Sequence, residues 1–245
     1  MTQQNLLPVV ILAGGLATRL RPLTQTIPKA LIEVNGEPFI AHQLRLLHKN
    51  GIRHIVICLG YLGEQIIDYV GDGSHLGLNI SYSHDGPILL GTAGAIKNAF
   101  PLLDEHFFVL YGDSYLPCHY AAAQNAFLQS HKTALMTVFY NQGQWDTSNV
   151  EFNHGKIYAY DKQNRNKRMQ YIDYGLGVFN KKAFTHLPTD KPSDLACLYQ
   201  ELLTQNQLAA FEVKERFYEV GSFSGIEELG CFLAEQDRQI SSSTY

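Results

Sequence analysis

The run Pro8-Val9-Val10-Ile11-Leu12-Ala13, followed at once by Gly14-Gly15, constrains this chain more than any other stretch. A strand with one wet face alternates apolar and polar residues. An unbroken apolar run is buried on both faces, as in a parallel strand covered by helices on each side. Ile55–Leu59 repeats that character, and Phe107–Tyr111 does so again just before Gly112. Between the first two, Pro38–Asn50 places Phe39, Ile40, Leu44 and Leu47 at helical spacing, with Pro38 suited to the first turn and Gly51 to the position past the end. Leu62–Val70, Thr92–Phe100 and Tyr120–Ser130 read as three further helices. Strand, helix and strand in this order predict right-handed crossovers and an α/β fold with a doubly wound, mainly parallel sheet.

After residue 140 the pattern changes. Asn149–Tyr160 alternates around Asn153-His154-Gly155, a hairpin signal, and Leu176–Asn180 reads as a short strand. Ser193–Gln205 reads as a helix, and Ser224-x-x-Glu227 fits a capping box opening a last helix to about Gln239, with Ser241–Tyr245 as a frayed tail. No Pro- or Ser-rich linker divides the 245 residues and no repeat appears, so a single domain with a β-rich insertion in its C-terminal half is expected.

Composition narrows the function. Hydrophobic residues make up 45% and charged residues 17%, enough apolar material for a full core. A net charge of -4 argues against a nucleic-acid partner. The longest apolar run is far short of the roughly 20 residues that span a bilayer, and Met1–Asn5 has no basic signal-peptide region. The four cysteines lie far apart, with neither a disulfide framework nor zinc-ligand spacing. These features read as a reduced, cytoplasmic protein without a membrane partner.

In open α/β sheets, ligands bind outside the carboxyl ends of the strands. The first strand ends in Leu12-Ala13-Gly14-Gly15, followed by Arg19 and Arg21, and then by Pro28-Lys29. Paired glycines let backbone N–H groups approach a phosphate, and the cations stand nearby. The loop is neither a Walker A sequence nor a GxGxxG fingerprint. The whole string, LAGGLATRLRPLTQTIPKALIEVNGEP, resembles the signature of the sugar-1-phosphate nucleotidylyltransferases, with Ala17 where that family usually has glycine.

That resemblance implies a Rossmann-like fold, with a nucleotide-binding half over about 6–140 and a sugar-phosphate-binding half over about 141–240. It implies that Leu12, Ala13, Gly14 and Gly15 cradle the nucleotide, and that Arg19 and Lys29 hold its phosphates. Asp113 and Glu219 are implied as ligands of a Mg²⁺ cofactor, Glu219 replacing the aspartate usual in the family. Gly91, Thr92, Ala93 and Gly94 lie in a segment like that of guanylyl- and cytidylyltransferases. Asp161 and Lys162 match a Glu-Lys pair whose lysine grips the sugar phosphate, and Asp173 and Gly175 fall in a segment lining the sugar pocket. His84 and Asp85 are further pocket candidates, whereas Arg165, Lys167 and Arg168 read as surface and Trp145-Asp146 as packing. The implied partners are an NTP and a sugar 1-phosphate, with room for a homodimer and no appended acyltransferase domain. GTP with mannose or manno-heptose 1-phosphate, for surface polysaccharide or glycoconjugate synthesis, is the favoured pair. Glucose-1-phosphate thymidylyl- or uridylyltransferase and phosphocholine cytidylyltransferase remain the alternatives, as does an inactive nucleotide-sugar sensor.

Overall fold

The computed structural model describes residues 5–15, 18–188 and 191–242. Ala17 and residues 243–245 of the expected tail lie outside the described residues. The opening apolar run forms β1 (Val9–Leu12), which lies between β4 (His54–Leu59) and β6 (His106–Tyr111) and parallel to both. β5 (Asn79–His84) extends the parallel set beyond β4. On the far side of β6 the direction reverses. β11 (Tyr171–Asn180) runs antiparallel to β6 and to β8 (Ala134–Tyr140), while β12 (Leu208–Val213) lies parallel to β8. The hairpin of β9 (Val150–Asn153) and β10 (Lys156–Tyr160) joins β11 at Tyr171, completing a nine-stranded mixed sheet. Two short pairs stand off it: β2 (Glu33–Val34) with β3 (Glu37–Pro38), and β7 (Ser114–Tyr115) with β13 (Tyr218–Glu219).

Alternate residues of β1 feed opposite layers. Val9 and Ile11 pack with α1 (Phe39–Lys49), α2 (Gly63–Val70) and α4 (Tyr120–Ser130). Val10 packs with α3 (Gly91–Asn98) and α5 (Leu195–Thr204). Helices on both faces explain the unbroken apolar run, each such side chain contributing about 1.5–3 kcal/mol by leaving water. A third cluster of Val34, Phe39, Tyr115, Val220 and Leu229 seats α6 (Phe223–Ser242).

The expected helices all form, within one to three residues of the predicted ends. The predicted hairpin turns at His154 and Gly155, both with positive φ (46° and 77°), the geometry of a tight two-residue loop. Three details depart from the sequence reading. The cap of α6 is Ser222, whose Oγ accepts the N–H of Gly225 (3.1 Å), so the Ser224 capping box does not form. β11 begins at Tyr171, five residues before the predicted strand, because a register shift against β8 between Asp173 and Gly177 hides its periodicity. β5, β8 and β12 have no counterpart in the sequence reading; a short apolar run such as Ala134–Tyr140 is not assignable by periodicity. All four cysteines are free, and burial pushes the Cys58 and Cys118 thiols up to about 12.

Candidate active site

The carboxyl ends of β1, β4 and β6 make the floor of a cleft. A Cβ on Gly60 would lie 2.6 Å from the Gly14 carbonyl oxygen, and one on Gly112 would lie 2.6 Å from that of Leu12. The backbones approach too closely for side chains, leaving bare peptide facing the cleft. One lobe, of about 270 Å³, is lined by Leu12, Ala13, Gly14, Gly15, Lys29, Asp85, Gly91, Thr92 and Asp113. The other, of about 480 Å³, is lined by Arg19, Lys162, Asp173, Gly175 and Glu219, among others. Tyr111 and Asp113 border both lobes and mark where they meet.

Asp113 is held from three elements. Gln43 of α1, fully buried, donates from Nε2 to the carbonyls of Tyr111 (3.0 Å) and Ser114 (2.8 Å). The Val220 N–H donates to the Asp113 carbonyl (2.9 Å). The side chain accepts from Lys29 Nζ (2.9 Å), which follows Pro28 at the head of the 3-10 turn Lys29–Leu31. Glu219 sits across the β7–β13 pairing from Ser114, next to Asp113. Burial raises the Glu219 carboxyl above the usual range; the Asp113 and Asp146 charges push the same way, and Lys29 and Arg19 pull it back.

Burial likewise raises the carboxyl of Asp173, which lines the same lobe as Glu219, against the nearby Lys162 charge. Its oxygens accept from the Gly175 N–H (3.1 Å) and the Tyr160 hydroxyl (3.3 Å). Gly175, at φ 98°, takes the left-handed turn that aims this segment of β11 into the cleft. The Lys162 ammonium stands 5.4 Å from the centroid of the Tyr111 ring, a cation–π arrangement at the junction of the lobes.

The raised carboxyl of Glu219 has a consequence for stability. A group with a higher pKa folded than unfolded stabilises most below its unfolded value, and loses that contribution as pH rises through the folded value. Without metal, Glu219→Gln is therefore expected to melt higher than wild type at pH 7. The gap should close as pH falls below about 4, where free glutamate protonates. Thermal unfolding from pH 4 to 8 in chelator checks this; a variant less stable at pH 7 would contradict it.

Three sequence-predicted contacts do not reach the cleft. Ala93 and Gly94 are buried, because the helical period of α3 turns Thr92 and Ala95 toward the cleft instead. Their N–H groups donate to the Ser193 carbonyl (2.9 and 3.3 Å). Asp161 spends its carboxylate on a turn, accepting from the N–H groups of Gln163 and Asn164, which hold it below the usual carboxylate range. It shapes the loop that presents Lys162. Conversely, Thr147 and Asn149 line the second lobe, as do the exposed side chains of Asp146 and Arg165. Arg168 pairs with Glu151 at the surface (3.2 Å). Asp85 lines the first lobe, whereas His84 faces Glu64 (4.0 Å) outside it.

Residues 8–236 match the nucleotidyl transferase family. This chain belongs to that family. Among its relatives, an N-acetylmuramate alpha-1-phosphate uridylyltransferase of Neisseria meningitidis is 45% identical over 115 residues, 46% of this chain and 50% of that protein. A mannose-1-phosphate guanylyltransferase catalytic subunit beta of Danio rerio is 29% identical over 238 residues, 94% of this chain and 65% of that protein. The chain thus spans between 50% and 65% of the length of these two curated relatives. The fold is shared with HddC from Yersinia pseudotuberculosis, at a TM-score of 0.77 and 24% identity, covering 93% of this chain and 99% of that one. Family membership agrees with the Rossmann-like α/β sheet. No helix among the described residues is long and apolar enough to cross a membrane.

Proposed function

We propose that this chain is a sugar-1-phosphate nucleotidylyltransferase, joining an NTP to a sugar 1-phosphate with release of pyrophosphate. The observation that carries this reading is the two-lobed cleft, with bare backbone and Lys29 on one side and Lys162 on the other, meeting at Asp113. A sugar phosphate oxygen attacks the α-phosphorus in line as the bond to pyrophosphate breaks. Phosphate is already ionised at neutral pH, so positioning and charge neutralisation carry the catalysis. The Gly14-Gly15 backbone cradles the nucleotide, Lys29 takes the α-phosphate and Lys162 the sugar phosphate, while Arg19, which lines the second lobe, takes the departing pyrophosphate from that side.

Two neighbouring carboxylates, Asp113 in the turn before β7 and Glu219 on β13, are a donor set that suits Mg²⁺. No group of three or more His, Cys, Asp or Glu ligands occurs among the described residues, so phosphate oxygens and water would complete the shell. When bound, Mg²⁺ offsets the charge of the phosphates.

The base is read as guanine. Asp85 lines the nucleotide lobe, and burial raises its carboxyl while the Leu90 N–H (3.1 Å) lowers it. A carboxylate offers paired acceptors to the ring N–H and amino group of guanine, with mannose or manno-heptose 1-phosphate as the partner substrate for surface polysaccharide or glycoconjugate synthesis. Uridine is the second reading, favoured by the 45% identity to a uridylyltransferase, since uracil offers one ring N–H to the same carboxylate. A panel of NTPs against sugar 1-phosphates, read by pyrophosphate release, tests the assignment. Asp85→Asn keeps an oxygen for Leu90 but loses one acceptor. With guanine it should raise the GTP KM by about tenfold or more, the worth of one bidentate contact, and leave the sugar KM unchanged. Turnover with UTP alone would select the second reading.

A further inference from the structure

The loop between β8 and β9 carries Asp146, Thr147 and Asn149 into the second lobe, yet its tip leans on a different part of the molecule. Within the loop, the buried Asn141 side chain donates to the Asp146 carbonyl (2.6 Å) and to Ser148 Oγ (3.0 Å), and accepts from the Trp145 N–H (3.3 Å). At the tip, the Arg216 guanidinium stacks on the Trp145 ring, 3.3 Å from its centroid. The same guanidinium lies 4.7 Å from the Tyr218 ring, which stacks on Phe232 of α6 (4.3 Å), and it pairs with Glu228 of α6. Arg216 thus ties the loop to α6 and to the strand that ends in Glu219.

Two features set this stack apart from ordinary surface packing. Arg216 Nε is buried and makes no hydrogen bond, a cost that buried guanidinium nitrogens rarely bear. Trp145 remains 45% exposed, so its ring contributes modestly to the core. What the stack joins is the loop that carries Asp146, Thr147 and Asn149 into the second lobe and the short strand β13 that begins at Tyr218.

Resting on the sugar-phosphate reading above, we infer that Trp145 and Arg216 are positioning residues for the sugar 1-phosphate: their stack holds the Asp146–Asn149 wall of the sugar lobe against β13. The nucleotide lobe lies outside its reach. The guanidinium plane is needed for the stacking; an ammonium does not reproduce it.

Trp145→Ala should raise the sugar 1-phosphate KM about tenfold, with kcat and the NTP KM within about twofold of wild type, and Trp145→Phe should restore most of the loss. Arg216→Lys should give an intermediate KM. Because Trp145 is the sole tryptophan, its emission reports the loop directly in the unmodified protein. Titration with mannose 1-phosphate, or with the best sugar phosphate of the panel where that differs, should shift the emission in the presence of NTP, and NTP alone should not. An unchanged sugar KM in Trp145→Ala, or parallel losses in both KM values and kcat, would overturn the assignment. A wild-type protein that turns over no sugar phosphate overturns instead the function on which it rests.

Discussion

Asp113→Asn is expected to lower turnover by about 10²-fold or more at saturating substrates, a loss of a few kcal/mol of transition-state stabilisation. The substitution keeps the shape of the side chain and the backbone bonds that pin it, and removes only the charge. Two roles disappear together. The carboxylate no longer supplies half of the anionic pair with Glu219, and Lys29 loses the counter-ion that it contacts at 2.9 Å. Folding should barely change. The Lys29 and Asp113 side chains are 22% and 30% exposed, and partly solvated pairs of this kind contribute about 1 kcal/mol or less. Pyrophosphate release across a magnesium titration, beside a thermal melt, separates the two effects. Wild-type turnover at saturating magnesium would refute the role given to Asp113.

Lys29→Ala tests the opposite charge of the same pair. A preorganised cation at the α-phosphate is worth about 3 kcal/mol where charge develops, so kcat should fall about 10²-fold with little change in the sugar 1-phosphate KM. Lys162→Ala should show the reverse pattern, a raised sugar 1-phosphate KM with kcat largely kept. Steady-state kinetics with each substrate varied in turn distinguishes them. If the two patterns came out exchanged, the roles assigned to the two lysines would have to be exchanged as well.

Much of the fold was readable because its central strands are covered on both faces. That burial leaves unbroken apolar runs, and glycines mark where they end. Helix α1 followed from its apolar spacing, with Pro38 at its start and Gly51 past its end. The strands beyond β6 were harder. β11 interrupts its own pattern with Asp173 and Gly175, and the cap of α6 moved to Ser222 because hydroxyls two residues apart satisfy the same local rule. In the site, Leu12 to Gly15, Arg19 and Lys29 were legible because they fall within a single contiguous stretch. Asp146, Thr147, Asn149 and Arg165 were not, since only strand pairing brings their loops over the cleft. Gln43 was hidden for a different reason: on a helix it reads as one polar residue, and its buried amide bonds become visible only with the neighbouring strand in place. Ala93, Gly94 and Asp161 show the converse error, in which a motif identifies a neighbourhood but the helical period or a turn decides which members face it.

The bulged course of β11 has a consequence for how such a molecule can diversify. Its last five residues, Leu176–Asn180, are zipped to β6 in the middle of the sheet, while Asp173 and Gly175, just upstream, face the cleft. The shift in register between Asp173 and Gly177 works as an insulating joint. Changes at Asp173 and Gly175 reshape the wall of the cleft, and changes after the shift strike the middle of the sheet. The cleft wall and the sheet core can therefore vary separately along a single strand.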